Sequence, residues 1–63
     1  MFVISSDQDV VMVLSEPSEF GQVVERVHPG EEYVFIAKVS DWYKFHVSDD
    51  LDAWIEASDV TTY

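Results

Sequence analysis

Two histidines and thirteen acidic residues are the groups of this chain best suited to acid–base chemistry or to metal binding. His28 stands beside a turn proline and His46 stands in a strand-like run, so neither is next to an obvious nucleophile. No histidine and carboxylate spacing matches a known metal-ligand pattern, and the chain has no cysteine for a thiolate site. The residue types therefore predict no catalytic group, no metal and no cofactor.

Two short polar segments match functional motifs only in part. Asp49-Asp50-Leu51-Asp52 begins like a calcium loop, but the glycine and the distal glutamate of an EF-hand are missing. Ser5-Ser6 is followed by Asp7 and Asp9, yet no base is positioned to activate a serine. We interpret both segments as solvated turns and expect a protein that is not an enzyme.

The two tryptophans carry a stronger signal, because each lies in a strand-like run. Trp42–Val47 alternates an apolar set that we expect to face the core, Tyr43, Phe45 and Val47, with a second set on the other side, Trp42, Lys44 and His46. In Asp52–Glu56, Ala53 and Ile55 alternate with Trp54 in the same way. If the polar turn Ser48–Leu51 pairs these runs as a hairpin, the two indoles lie on neighbouring strands of one face.

Period-2 runs separated by turn residues predict an all-β domain, a small barrel or sandwich of five or six strands. Phe2–Ile4 is a candidate first strand, and Ala57–Asp59 is predicted to form one helical turn before the last strand. The other predicted strands are Val10–Leu14, Gln22–Val27, Glu32–Lys38, Trp42–Val47, Asp52–Glu56 and Val60–Thr62.

Turn residues delimit these strands. Ser15–Gly21 contains Pro17 and is predicted to form a long irregular loop. His28-Pro29-Gly30-Glu31 predicts a type II turn, because proline presets φ at the second position and glycine accepts positive φ at the third. Val39-Ser40-Asp41 predicts a short turn. Glu32–Lys38 is apolar on both faces, which predicts a central strand that is covered on both sides.

Size and charge bound the possible functions. The 63 residues predict a single domain over 1–63, and an apolar content of 48% with nine aromatic residues indicates a folded chain. Thirteen acids against Arg26, Lys38 and Lys44 give a formal net charge of -10, which disfavours nucleic acid and anionic membranes as partners. The charge either serves only solubility or forms a face for a basic partner, and the sequence leaves both open.

Three absences favour a cytoplasmic protein. No apolar run approaches the roughly 18 residues of a membrane-spanning helix. The first residues lack the basic and long apolar regions of a signal peptide. The lack of cysteine fits a reducing compartment.

Several short motifs follow one another along the chain, carried by Pro17, Ser18, Val23, Val24, Gly30, Tyr33, Phe35, Trp42, Tyr43, Lys44, Phe45, Trp54 and Ile55. Their order resembles the bacterial SH3 domain family over residues 10–63. The resemblance implies an SH3-like five- to six-stranded barrel with a short helical turn before the last strand, and a role in binding another protein. The family usually has glycine where this chain has Ala53, and its hairpin often carries glycine where this chain has Asp49-Asp50.

Three functions remain open, and the oligomeric state with them. The first is a protein-binding module with an aromatic groove and an acidic rim, suited to a basic or proline-containing surface. The second is a stand-alone acidic inhibitor of the phage or mobile-element type, which blocks a basic nucleic-acid-binding or substrate-binding surface of a host enzyme. The third is an assembly subunit that pairs through an edge strand. A structural role for both tryptophans, capping a small barrel, is compatible with each of them. The candidate partner-binding residues are Trp42, Tyr43, Trp54, Phe20, Glu19, Asp41, Asp49, Asp50, Asp52 and Glu56.

Overall fold

A computed structural model describes all residues of the chain, Met1–Tyr63. It confirms the all-β prediction, since the only helical element is one 3₁₀ turn at Ala57–Asp59. No helix in the structure has the length and apolar character needed to cross a membrane. The eight strands are β1 Phe2–Ile4, β2 Val11–Leu14, β3 Val23–Val27, β4 Glu32–Tyr33, β5 Phe35–Val39, β6 Trp42–Ser48, β7 Leu51–Glu56 and β8 Val60–Thr62.

The strands form two antiparallel sheets. The smaller sheet has the order β4-β1-β8, and the larger has the order β3-β2-β7-β6-β5. The chain crosses between the two sheets four times: through residues 5–10, through residues 28–31, through the single residue Val34 and through the 3₁₀ turn. The two sheets are therefore separate in their hydrogen bonding, although some strands that follow each other along the chain belong to different sheets.

The core lies between the two sheets and is entirely apolar. Phe2 is at its centre, where its ring lies 5.2 Å from that of Phe45 and 5.8 Å from that of Tyr43. Tyr33 and Phe35 complete this aromatic cluster around Phe2, with ring centroids 6.3 and 6.2 Å away. The buried residues are Phe2, Ile4, Val11, Val13, Val27, Phe45, Ala53 and Ile55.

The predicted turns agree with the structure. Gly30 has a φ of 93°, and the Glu31 amide donates a hydrogen bond to the His28 carbonyl over 3.2 Å, as a type II turn requires. Asp49 and Asp50 form the tip of the hairpin that joins β6 and β7. Ser40 begins the turn between β5 and β6 with a φ of 53°, a conformation that favours glycine over serine.

The prediction of one covered central strand at Glu32–Lys38 is wrong. The segment forms two strands, β4 and β5, and each lies at the edge of its sheet. Val34 lies at the crossing between the sheets and a bulge separates Phe35 from Ala37, so the simple alternation of faces breaks down. Val34 is therefore 62% exposed and Ile36 is 48% exposed. This split, together with β1, also raises the strand count from the expected five or six to eight.

Candidate protein-binding face

The two tryptophans lie on the same outward face of the larger sheet. In the β6–β7 ladder, Trp42 stands opposite Glu56 and Lys44 stands opposite Trp54. Residues directly opposite each other in an antiparallel pair point to the same side of the sheet. Trp42 and Trp54 are therefore diagonal neighbours on one face, as the alternation predicted.

The same face continues across all five strands. Leu14 of β2 stands opposite Trp54, and Val23 of β3 stands opposite Leu14. On the other side, Val39 of β5 stands opposite Trp42. We call this surface the tryptophan face, and it comprises Met12, Leu14, Val23, Arg26, Ala37, Val39, Trp42, Lys44, His46, Asp52, Trp54 and Glu56.

The tryptophan face keeps a large apolar area in contact with solvent. Both tryptophans are only half-buried. Met12, Val23 and Val39 are exposed, at 57%, 45% and 49%. These side chains lie on the side of the sheet away from the core, so their packing adds little to the central apolar cluster. Exposed apolar side chains on one side of a sheet make this face a candidate interaction surface.

The tryptophan face is electrically neutral. Arg26 and Lys44 balance Asp52 and Glu56, with histidine counted as neutral, so the whole net charge of -10 lies elsewhere on the molecule. Asp52 contacts two neighbours on this face: its carboxylate hydrogen-bonds with the His46 ring at Nδ1, and it lies 4.0 Å from Nζ of Lys44. The Arg26 guanidinium has no carboxylate partner within the chain.

Nine of the ten predicted site residues lie on this face or in turns and loops that border it. Asp41 lies in the turn between β5 and β6, at one end of the larger sheet. The antiparallel order of β2, β7 and β6 brings the loop with Glu19 and Phe20 to the opposite end, beside the Asp49-Asp50 hairpin. Phe20 is 84% exposed there.

Tyr43 is the exception among the predicted residues. Its ring packs 5.0 Å from Phe35 and 5.8 Å from Phe2 on the inner side of the sheet. Nζ of Lys38 lies 5.3 Å from the centroid of the same ring. Tyr43 therefore belongs to the core, which agrees with the alternation along β6, and the structure separates it from the two tryptophans.

The local sequence pattern does not predict that residues of β2, β3 and β5 contribute to this face. Val11-Met12-Val13-Leu14 is apolar at every position, so its pattern does not show which side chains point outward. Val23 and Arg26 reach the face through a bulge opposite Val13 and Leu14, which shifts the register of the ladder. Such a shift depends on tertiary pairing and has no local sequence signal.

One titratable group is perturbed, and it lies outside the tryptophan face. Partial burial raises the pKa of the Tyr33 hydroxyl above its usual 10.0, and the nearby carboxylates of Glu31 and Glu25 raise it further. A neutral phenol is therefore the favoured form of this side chain. The position of Tyr33 against the Phe2 and Phe45 rings gives it a structural role.

The remaining surface is shallow. It has no pocket, and no group of three or more histidine, aspartate or glutamate side chains is arranged to hold a metal ion. The structure does supply one face that has no net charge and several exposed apolar side chains, with acidic loops at its ends. Comparison with protein-family models, with curated proteins and with solved structures found no match.

Proposed function

We propose that this protein is a small non-catalytic module that binds another protein through the tryptophan face. The observation that carries this proposal is the contrast between the face and the rest of the molecule. A formal charge of -10 keeps most of the surface hydrated, while the tryptophan face has no net charge and exposes several apolar side chains. Tryptophan is enriched among the residues that dominate binding energy at protein interfaces.

The acidic loops at the ends of the face define the kind of partner. Carboxylates at Glu19, Asp49 and Asp50 would steer a basic surface toward the platform, as unlike charges do across interfaces. The apolar centre would then exclude water around Trp42 and Trp54. We therefore propose a partner with an apolar or proline-containing segment flanked by basic residues.

An SH3-like barrel is part of the same proposal. Two features support it: β4 runs into β5 through Val34, and the 3₁₀ turn at Ala57–Asp59 leads into the last strand. Both features bend the chain from one sheet into the other, as the strands of a small barrel do at its corners. The sequence resemblance to the bacterial SH3 domain family also supports the proposal of an SH3-like barrel.

The test is capture of partners from a lysate of the natural host by the wild type and by Trp54→Thr. Threonine keeps the β-propensity of the strand but removes the indole. Val34→Ala is the matched control, because Val34 is also exposed but lies at the strand edge away from the tryptophan face.

We expect Trp54→Thr to lose a stoichiometric partner that Val34→Ala retains. Removal of a central tryptophan costs about 2 kcal/mol or more at an interface hot spot, which is roughly a thirtyfold loss of affinity. Loss with Val34→Ala alone would contradict the proposal and would support pairing through the edge strand. Circular dichroism of both variants verifies that each remains folded.

The acidic inhibitor is a second candidate, and the charge distribution favours it. Glu16, Glu19, Asp49 and Asp50 lie in one loop and one hairpin at the same end of the larger sheet. An inhibitor that acts through these charges should lose its target steeply as salt rises. Replacing Asp49, Asp50 and Asp52 with asparagine should then weaken capture more than Trp54→Thr does, whereas the binding module predicts the reverse order.

A further inference from the structure

We propose that the tryptophan face also docks on the same face of a second copy of this chain, and that salt controls this self-association. A two-fold interface uses one patch on both subunits, so the patch must be complementary to itself. The tryptophan face meets this requirement in both its apolar and its charged residues.

The charged residues of the face are evenly divided between the two signs. Arg26 and Lys44 are matched by Asp52 and Glu56. Two such faces therefore carry no net charge that would drive them apart, and in the proposed dimer their cations lie opposite carboxylates of the other copy. Arg26 has no ion pair within its own chain, although the chain has thirteen carboxylates, so its guanidinium is free for a contact with a neighbour.

The size of the face sets the strength of such a dimer. The molecule measures 24 × 22 × 21 Å along its principal axes. One side therefore offers about 500 Å², and two copies would bury about 1,000 Å² in total, which is the size of a weak, transient interface. We expect a dimer that forms at high protein concentration and dissociates on dilution.

The charge on the rest of the molecule makes this dimer depend on salt. Each copy brings a net charge of -10, and the centres of two docked copies are separated by one molecular diameter. Screened repulsion at that separation falls about sevenfold between roughly 0.01 M and 0.15 M salt. Salt should therefore promote this dimer, whereas it should weaken binding to a basic partner.

Self-association would hide the surface that the partner needs. This consequence rests on the proposed function, because a dimer that covers Trp42 and Trp54 competes with a partner for the same residues. Free protein at high concentration would then be held in an inactive form. The dimer itself does not require that any partner exists.

Sedimentation velocity of the wild type tests the proposal. The protein is measured from about 10 μM to about 1 mM, a range that brackets a weak interface. Each concentration is examined in about 10 mM and about 0.5 M sodium chloride, where the Debye length is about 30 Å and about 4 Å. We expect a monomer in low salt and a concentration-dependent dimer in high salt. The dissociation constant of the dimer should be at least about a hundredfold lower in high salt than in low salt.

Four variants are used to assign the dimer to the face. Arg26→Glu unbalances the charges of the face and should abolish the dimer in high salt. Lys38→Glu is the matched control, because it changes the net charge by the same amount away from the face and should retain the dimer. The swapped variant Arg26→Glu/Glu56→Arg restores neutrality and should restore the dimer. If Arg26→Glu does not fold, Glu56→Lys serves instead, because it gives the face a net positive charge where Arg26→Glu gives it a net negative charge.

Two results would overturn the proposal. A monomer at every salt and protein concentration would exclude self-docking and would leave partner capture unaffected. Equal weakening by Arg26→Glu and Lys38→Glu would show that net charge alone matters, and would place any contact on another surface such as the β5 edge. A failure of partner capture with a normal dimer would instead refute the proposed function alone.

Discussion

Replacing Phe2 with leucine should destabilise the protein by about 2 kcal/mol. Phe2 is fully buried, and four aromatic rings surround it with centroids 5.2–6.3 Å away. Leucine preserves most of the buried apolar volume, so the cost of an empty cavity is small. It lacks the ring quadrupole, however, and each of the four ring contacts should lose about 0.5 kcal/mol.

Urea unfolding followed by tryptophan fluorescence measures this loss. A 63-residue domain has a free energy of unfolding of roughly 3–9 kcal/mol, so a loss of about 2 kcal/mol is a substantial part of it. In thermal unfolding, the same loss should lower the midpoint by about 8–16 °C. Phe20→Leu is the control, because the same substitution at a side chain that is 84% exposed should change the free energy by less than about 0.5 kcal/mol.

Equal stabilities of Phe2→Leu and Phe20→Leu would contradict this prediction. That result would mean that the Phe2 ring is not packed among Tyr33, Phe35, Tyr43 and Phe45, and that β1 is not part of the folded core. The comparison requires that the dependence on urea keeps its slope, because a changed slope indicates a change in the surface exposed on unfolding.

Further predictions concern the turns, Tyr33 and the net charge. Ser40→Gly should stabilise the protein by about 0.5–1 kcal/mol because Ser40 has a φ of 53°. Gly30→Ala should destabilise it by about 1–2 kcal/mol through its φ of 93° alone, since a β-carbon there meets no atom within 4 Å; urea midpoints that move in the same direction for both would contradict this. The folded state holds the Tyr33 proton more tightly than the unfolded chain does, because burial and the carboxylates of Glu31 and Glu25 raise its pKa. The resulting stabilisation is complete below the usual pKa of 10.0 and is lost as the pH rises through that value and the higher folded pKa. An absorbance titration should show this late-titrating group in the wild type and not in Tyr33→Phe. At low protein concentration, about 0.5 M sodium chloride should raise the melting temperature by screening repulsion within a chain of net charge -10, and an unchanged melting temperature would argue against that repulsion.

The sequence predicts the parts of the fold that depend on local chemistry. Pro29-Gly30 can form few structures other than a type II turn, and the structure contains that turn. The alternation in Trp42–Val47 and Asp52–Glu56 assigns Phe45 and Ile55 to the core and both tryptophans to the other face, as observed. In these segments one side of the strand is apolar throughout, so the register follows from burial.

The sequence does not predict the features that depend on distant parts of the chain. The change of sheet at Val34 arises because β4 pairs with β1 while β5 pairs with β6, and no residue in Glu32–Lys38 signals a break. The tryptophan face was only partly predictable for the same reason. Leu14 and Val23 lie on this face because of cross-strand pairing and a bulge. The alternation of apolar and polar residues within one strand indicates neither of these.

The small sheet has a consequence for the order of folding. Its three strands come from the beginning, the middle and the end of the chain, and Phe2 pairs with both Tyr33 and Thr62. The larger sheet, by contrast, contains three hairpins that join neighbouring segments. Closing the long loops of the small sheet costs more chain entropy than forming those hairpins. Formation of the β6–β7 hairpin should therefore precede the burial of Phe2. The last step of folding should bring β4, from the middle of the chain, and β8, from its end, to the two sides of β1.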